Sequence, residues 1–254
     1  MIFETHAHYD DEAFAEDREV LLRALPKSGV DRVVNVGASP ASCRTTVELM
    51  EKYDFVYGAL GIHPSETAAL TEDLFLELTE QCRHEKCVAV GEIGLDYYWQ
   101  EPDREIQKKW FMRQLRLAGE LHLPVVIHSR DAAMDTIEIM KAAHAEEIGG
   151  VIHCFSYTKE TAEVFLKMGF YIGIGGVVTF KNAKKLKEAV EFIPMERLVV
   201  ETDSPYLAPE PYRGKRNDSA KLPVIINEIA RIKQLLPREI EKITWENAHA
   251  LYRM

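Results

Sequence analysis

Six side chains able to bind a metal ion each stand at the end of a short apolar run in this chain. They are His6 and His8 in THAHYD, Glu92 in VGEIGLD, His128 in VVIHSRD, His153 in VIHCFS and Asp203 in VVETDSP. Neutral imidazoles suit zinc and other transition ions, while the carboxylates of Glu92 and Asp203 add hard oxygen ligands that also accept magnesium or manganese. His6 and His8 are two residues apart, so on an extended strand both point the same way and can share one ion. The pattern predicts two divalent ions, one held by His6, His8 and Asp203, the other by His128 and His153. Glu92 is the candidate bridge, because a carboxylate has two oxygens. Such a pair of ions supports hydrolysis by an activated water and offsets charge on the attacking and leaving oxygens. Asp203 and Glu92 are the predicted catalytic carboxylates, with Asp203 orienting or deprotonating the water. Any one of these histidines is readily explained as hydrogen-bonded structure, but their shared position at strand ends is not. His84, His122, His144 and His249 fall within or beside helical stretches and carry no predicted role.

A second set of residues could meet a substrate. His63 in GIHPSE also follows an apolar run, Arg130 lies just past His128, and the segment YRGKRND carries Arg213, Lys215 and Arg216. A charge run is usually a solvated face, but guanidinium groups in a loop beside a metal site can grip phosphate oxygens. His63, Arg130, Arg213 and Lys215 are therefore the expected substrate contacts. Glu201, two residues before Asp203, is expected one layer deeper on the same side of its strand, in a hydrogen-bonding role.

Eight apolar runs must position these groups: Ile2 to Glu4, Arg32 to Val36, Val56 to Gly61, Val88 to Glu92, Val125 to Ile127, Gly150 to His153, Tyr171 to Ile174 and Leu198 to Glu201. Amphipathic stretches separate them, at Asp11 to Ser28, Ala41 to Lys52, Glu72 to Glu85, after Pro102, and at Ala132 to Ala145, Thr158 to Met168, Ala183 to Phe192 and Pro223 to Leu235. Arg238 to Arg253 reads as a closing helix. After Pro102, Ile106, Trp110, Leu117 and Leu121 mark the predicted inner face. This alternation is that of an α/β protein with a parallel sheet. Ligands on runs 1, 4, 5, 6 and 8 favour a closed ring over an open sheet, whose outer strands end far apart. The predicted fold is a single (β/α)8 TIM barrel over residues 1–254, with its active site at the carboxyl ends of the strands, a size typical of that fold.

Composition narrows the function classes. Apolar residues make up 46% and charged residues 28%, and no apolar run reaches the roughly 18 residues of a membrane span. With no secretory signal at MIFETHAHYD, a cytoplasmic, membrane-free protein is expected, and a monomer. Cys43, Cys82, Cys87 and Cys154 form no disulfide framework, and Cys82-x4-Cys87 lacks the second ligand pair of a zinc site. The net charge of -10 disfavours wrapping of nucleic acid, although bound cations change that balance locally. There is no G-x-S-x-G elbow and no phosphate loop, and Gly173 to Gly176 fail dinucleotide-binding spacing, so no nucleotide cofactor is expected.

The blocks THAHYD, GIHP, VGEIGLDYYW, VIHSRDA, HCFS, ETDSPYL, PYRGKRN and NAHALY, in this order along the whole chain, resemble the TatD-type metal-dependent deoxyribonucleases. The resemblance implies a TIM-barrel hydrolase that cleaves DNA, with the same six residues as metal ligands. One position departs from the family pattern: Glu4 stands where an Asp usually precedes the Thr-His pair, adding a methylene beneath the site. The expected reaction is phosphodiester hydrolysis, as a 3′–5′ exonuclease on DNA ends. Two alternatives stay open: an amide or ester hydrolase such as an aminoacyl-tRNA deacylase with the same binuclear site, and a noncatalytic binding module on a decayed barrel.

Overall fold

Valine- and isoleucine-rich runs pack well on a pleated surface, and eight of them form parallel strands: β1 (Ile2–Ala7), β2 (Val30–Val36), β3 (Val56–Leu60), β4 (Cys87–Asp96), β5 (Val125–Arg130), β6 (Gly150–Ile152), β7 (Tyr171–Ile174) and β8 (Leu198–Val200). The computed structural model describes residues 1–254. The strands are ordered β1 to β8 in one parallel sheet. It curls into a nearly closed barrel, and the Ala7–Ser204 bridge joins its two edges. Helices lie between and around the strands: α1 (Arg18–Ala24), α2 (Pro40–Lys52), α3 (Glu72–Gln81), α4 (Arg104–Leu121), α5 (Ala133–Ala142), α6 (Ala145–Ile148), α7 (Lys159–Lys167), α8 (Lys184–Phe192), α9 (Leu222–Lys233) and α10 (Pro237–Tyr252). No helix is long and apolar enough to cross a membrane.

Two apolar clusters hold these layers together. The larger joins outward-facing strand residues such as Val125, Ile127 and Ile172 to helix residues such as Trp110, Phe165 and Ile226. The smaller includes Phe3, Val34, Val36, Val126, Val151 and Val199, packed against Ala248, Leu251 and Tyr252 of α10. The Tyr252 hydroxyl donates to Thr5 O at 2.8 Å. The closing helix thus braces strand interiors on the side opposite the polar strand ends.

β1, β2, β4 and β5 are longer than their apolar runs suggest, and β1 and β4 carry an irregularity where the chemistry sits. On β1, Glu4 pairs with Val33 but Ala7 with Asn35; on β4, Val90 pairs with Val125 but Ile93 with Ile127. In each case three steps on one strand oppose two on its neighbour, which re-aims the intervening side chains. His6 and Glu92 lie inside these shifts. At Gly94 the backbone has φ +144°, and an added Cβ would come 1.9 Å from His128 O, so only glycine fits between the two strands.

Three helical expectations are corrected. Asp11 to Ser28 is not one helix: the Asp11 carboxylate accepts the Ala13 N–H at 2.7 Å and closes a short turn, and α1 starts only at Arg18. Ala132 to Ala145 is divided by His144, whose left-handed backbone (φ 53°) separates α5 from α6. On α4, Ile106 is exposed, whereas Gln107 and Gln114 are buried. The Gln107 amide bonds Asp96 N and O, and that of Gln114 bonds Ile62 N and O. Hydrogen bonding to strand-end backbone thus overrides polarity on this helix and fixes two loops at the site.

Candidate metal centre

All six strand-end residues converge at one cavity of about 830 Å³, lined among others by His8, Glu92, His128, His153 and Asp203, with His6 buried beneath. His6 Nε2 and His8 Nε2 lie 3.1 Å apart. Asp203 Oδ1 is 3.6 and 3.4 Å from these nitrogens, and Glu92 Oε2 is 3.5 and 3.6 Å away. For metal–ligand bonds of about 2.0–2.2 Å, the edges of a tetrahedron are about 3.3–3.6 Å, so this spacing suits donors around a single cation. Two imidazole nitrogens at hydrogen-bond distance can share only one proton, but both lone pairs can serve an ion.

The other oxygen of Glu92 faces a different group. Oε1 lies 2.8 Å from His128 Nδ1, 3.1 Å from His153 Nε2 and 3.8 Å from His63 Nε2. The two oxygens of this buried carboxylate therefore address two clusters of donors. Burial works to raise the Glu92 pKa, but His153, His128 and His6 prevail and hold it well below the usual carboxylate range. Burial likewise opposes charge on His8, yet Asp203, Glu92 and Asp10 outweigh it and lift this imidazole to about 9. The carboxylates thus supply negative charge that a cation would answer. The donor set fits divalent metal: nitrogen and oxygen ligands, ionised carboxylates and short donor separations.

Supporting hydrogen bonds orient the rings, as is usual for metal-binding histidines. His8 Nδ1 contacts Val36 O at 2.7 Å, leaving Nε2 for the cavity. His128 Nε2 contacts Asp96 Oδ2 at 3.2 Å, leaving Nδ1 toward Glu92. His153 stacks on His6 with ring centroids 3.6 Å apart, and its Nδ1 lies 3.3 Å from Glu201 Oε1. Glu201 is fully buried, as its inward register implies, and also accepts the Cys154 N–H at 2.5 Å. A Cβ on Gly173 would meet Glu201 Oε2 at 2.4 Å, so the glycine on β7 makes room for this carboxylate. On β1, beneath the site, Glu4 accepts from His6 N at 3.2 Å, Thr202 N at 2.9 Å and Thr202 Oγ1 at 2.6 Å, with burial pushing its carboxyl up to about 8. The longer side chain at this position reaches across to the residue preceding Asp203. Asp203 itself takes a left-handed backbone (φ 57°), and its N–H donates to His6 O at 3.0 Å.

The expected substrate contacts separate into two groups. His63 lines the cavity, and its Nδ1 accepts the Ser65 N–H at 3.2 Å. Burial and the neighbouring His128 push its pKa down to about 3. A neutral ring accepting at Nδ1 carries its proton on Nε2, a donor aimed at the Glu92 side. Arg130, Arg213 and Lys215 are not brought to the cavity wall. Arg130 stacks on Tyr98 at 3.7 Å and Arg213 on Phe180 at 4.4 Å, while Lys215 is exposed. Arg216 pairs with Asp17. Aromatic faces and a neighbouring acid occupy the guanidinium groups that the sequence offers to phosphate. In their place the lining carries Asp10, Asp11, Glu12 and Glu66, with Ser39, Ser42, Trp99 and Tyr206, and neither lysine nor arginine. Nothing in local spacing marks Asp96, although it shares the GEIGLD block with Glu92; its signal is its place at the end of the extended β4.

Comparison with known proteins identifies the family. The family model described as TatD related DNase matches residues 3–253. The chain is 44% identical over 254 residues to the uncharacterized metal-dependent hydrolase YabD of Bacillus subtilis, covering 100% of both. It is 34% identical over 259 residues to YcfH of Escherichia coli, an uncharacterized metal-dependent hydrolase, covering 100% of this chain and 96% of YcfH. The crystal structure of the TatD homologue YjjV from Escherichia coli superposes with a TM-score of 0.93 at 30% identity, over 100% of this chain and 98% of that one. With its barrel and convergent His, Glu and Asp side chains, the chain belongs to the TatD family of metal-dependent hydrolases.

Proposed function

We propose that this protein is a deoxyribonuclease that hydrolyses phosphodiester bonds at DNA ends, in the 3′–5′ direction, with two divalent ions. The observation carrying the reading is Glu92, whose Oε2 faces His6 and His8 while Oε1 faces His128 and His153. His6, His8 and Asp203 would hold one ion, His128 and His153 the other, with Glu92 between them. Bound divalent ions there supply Lewis acidity that activates water and offsets charge on the oxygens of in-line displacement.

The protein's own groups do the rest. Asp203 accepts the proton of the attacking water as its oxygen bonds to phosphorus, and the ester P–O bond breaks. The leaving oxygen takes a proton from solvent. His63 Nε2–H donates to a phosphate oxygen and stabilises charge that grows in the transition state. A cavity of about 830 Å³ with an acidic lining admits a strand end and repels a long polyanion, which supports exonuclease over endonuclease action. The absence of lysine and arginine from the wall also suits a neutral carbonyl substrate, so an acyl-ester or amide hydrolase is the second reading.

The test is to incubate metal-reconstituted protein in parallel with single-stranded DNA, duplex DNA, RNA and an aminoacyl-tRNA, with Asp203→Asn as control. Nucleotide release from DNA that Asp203→Asn abolishes is expected. Acyl release without nucleotide release would replace the nuclease reading with the second one.

A further inference from the structure

Two large aromatic side chains at the cavity have no part in the hydrolysis: Trp99 is 58% exposed and Tyr206 52%. Trp99 follows β4 and Tyr206 follows β8. In a ring ordered β1 to β8 these strands stand on opposite sides, so the two residues come to one cavity from opposed loops. Each is braced. Trp99 packs edge-on against Tyr98, with centroids 4.8 Å apart at 89°, and Tyr98 in turn stacks on Arg130. The Tyr206 hydroxyl donates to Asp11 Oδ2 at 2.6 Å.

The charge of the wall decides what these rings can hold. With no lysine or arginine lining the cavity, and Asp10, Asp11, Glu12 and Glu66 there instead, phosphates beyond the scissile group find no counter-charge. Further binding energy has to come from uncharged parts of the ligand. A nucleobase offers a π-face to an aromatic ring whatever its sequence. We propose that Trp99 and Tyr206 form a nucleobase-stacking subsite beside the scissile phosphodiester, selecting unpaired strand ends over bare phosphodiesters. The inference rests on the phosphodiester reading above and deepens it. Arg130 then acts as a brace for the platform instead of a phosphate ligand.

The experiment compares kcat/KM on a short single-stranded DNA with that on the same oligonucleotide made abasic at its terminal two nucleotides. Stacking contributes about 1–3 kcal/mol per base by alanine substitution, or roughly 5- to 150-fold. The intact-to-abasic preference of the wild type is expected to fall about 10-fold or more in Trp99→Ala, through KM rather than kcat, and in Tyr206→Ala, while Trp99→Phe retains most of it. An unchanged preference in Trp99→Ala, or an equal loss on both substrates, would overturn the subsite. Wild-type protein that cleaves both oligonucleotides equally sinks the subsite alone. Wild-type protein that cleaves neither but releases an acyl group sinks the phosphodiester reading and the subsite with it.

Discussion

At the scale of single residues, the site depends on carboxylates that do different work from one another. Glu92 has an oxygen toward each donor cluster, and Asp203 contributes to one of them. Glu201 lies below, with Oε1 3.3 Å from His153 Nδ1 and Oε2 without a hydrogen-bond partner. Outer carboxylates of this kind set ligand orientation and commonly change metal affinity about 10- to 100-fold. Glu201→Gln is expected to weaken zinc or manganese binding by about that factor in calorimetry, with the thermal melting of metal-free protein little changed. Equal affinities for variant and wild type would remove Glu201 from the support of the site. The six donor residues were legible in the sequence because histidines and acids rarely end several apolar runs. Asp96 and the fates of Arg130 and Arg213 were not, because they depend on which ring or helix lies nearby, and that is set by tertiary packing.

At the scale of elements, the irregularities on β1 and β4 turn an ordinary parallel ladder into a ligand scaffold. The apolar runs revealed eight strands and their order. They did not reveal how far β1 and β4 extend, since their polar ends read as loops until neighbouring strands pair with them. Gly94 is the tightest point: Gly94→Ala puts a Cβ against His128 O in a backbone region that alanine avoids. It is expected to cost roughly 1–3 kcal/mol or more in urea unfolding and to weaken metal binding. A well-folded variant with normal metal affinity would show that β4 and β5 can separate without disturbing His128.

On α9, Glu228 pairs with Arg231 at 2.8 Å and, across to α8, with Lys187 at 2.8 Å. Arg231 above all, with Lys187 and against partial burial, holds the carboxyl at about 2. Because the folded pKa is depressed, this stabilisation is fully present above the ordinary value of 4.5 and is lost as pH falls toward 2. Solvent screening limits it to about 1 kcal/mol. The stability gap between wild type and Glu228→Gln should therefore be seen by urea unfolding at pH 7 and narrow below pH 4.5. A gap that widens on acidification would contradict the pairing.

At the scale of the whole molecule, the net charge of -10 and the acidic cavity wall act together. Proteins that make six to ten phosphate contacts lose about 10³–10⁵-fold in affinity between 50 and 200 mM salt. With no lysine or arginine on the cavity wall, single-stranded DNA affinity is expected to fall by less than about 10-fold over that range. A steep slope in a titration at several salt concentrations would point to a phosphate-tracking surface elsewhere on the protein. The barrel itself brings chemistry from residues 6 to 203 to one end, and the closing helix braces the other.

The proposed bridging of two ion sites by Glu92 is tested most directly by anomalous diffraction from manganese-soaked crystals. The expected result is two anomalous peaks, one beside each Glu92 oxygen, the first against His6, His8 and Asp203 and the second against His128 and His153. A single peak away from Glu92, or none among these six side chains, would contradict it.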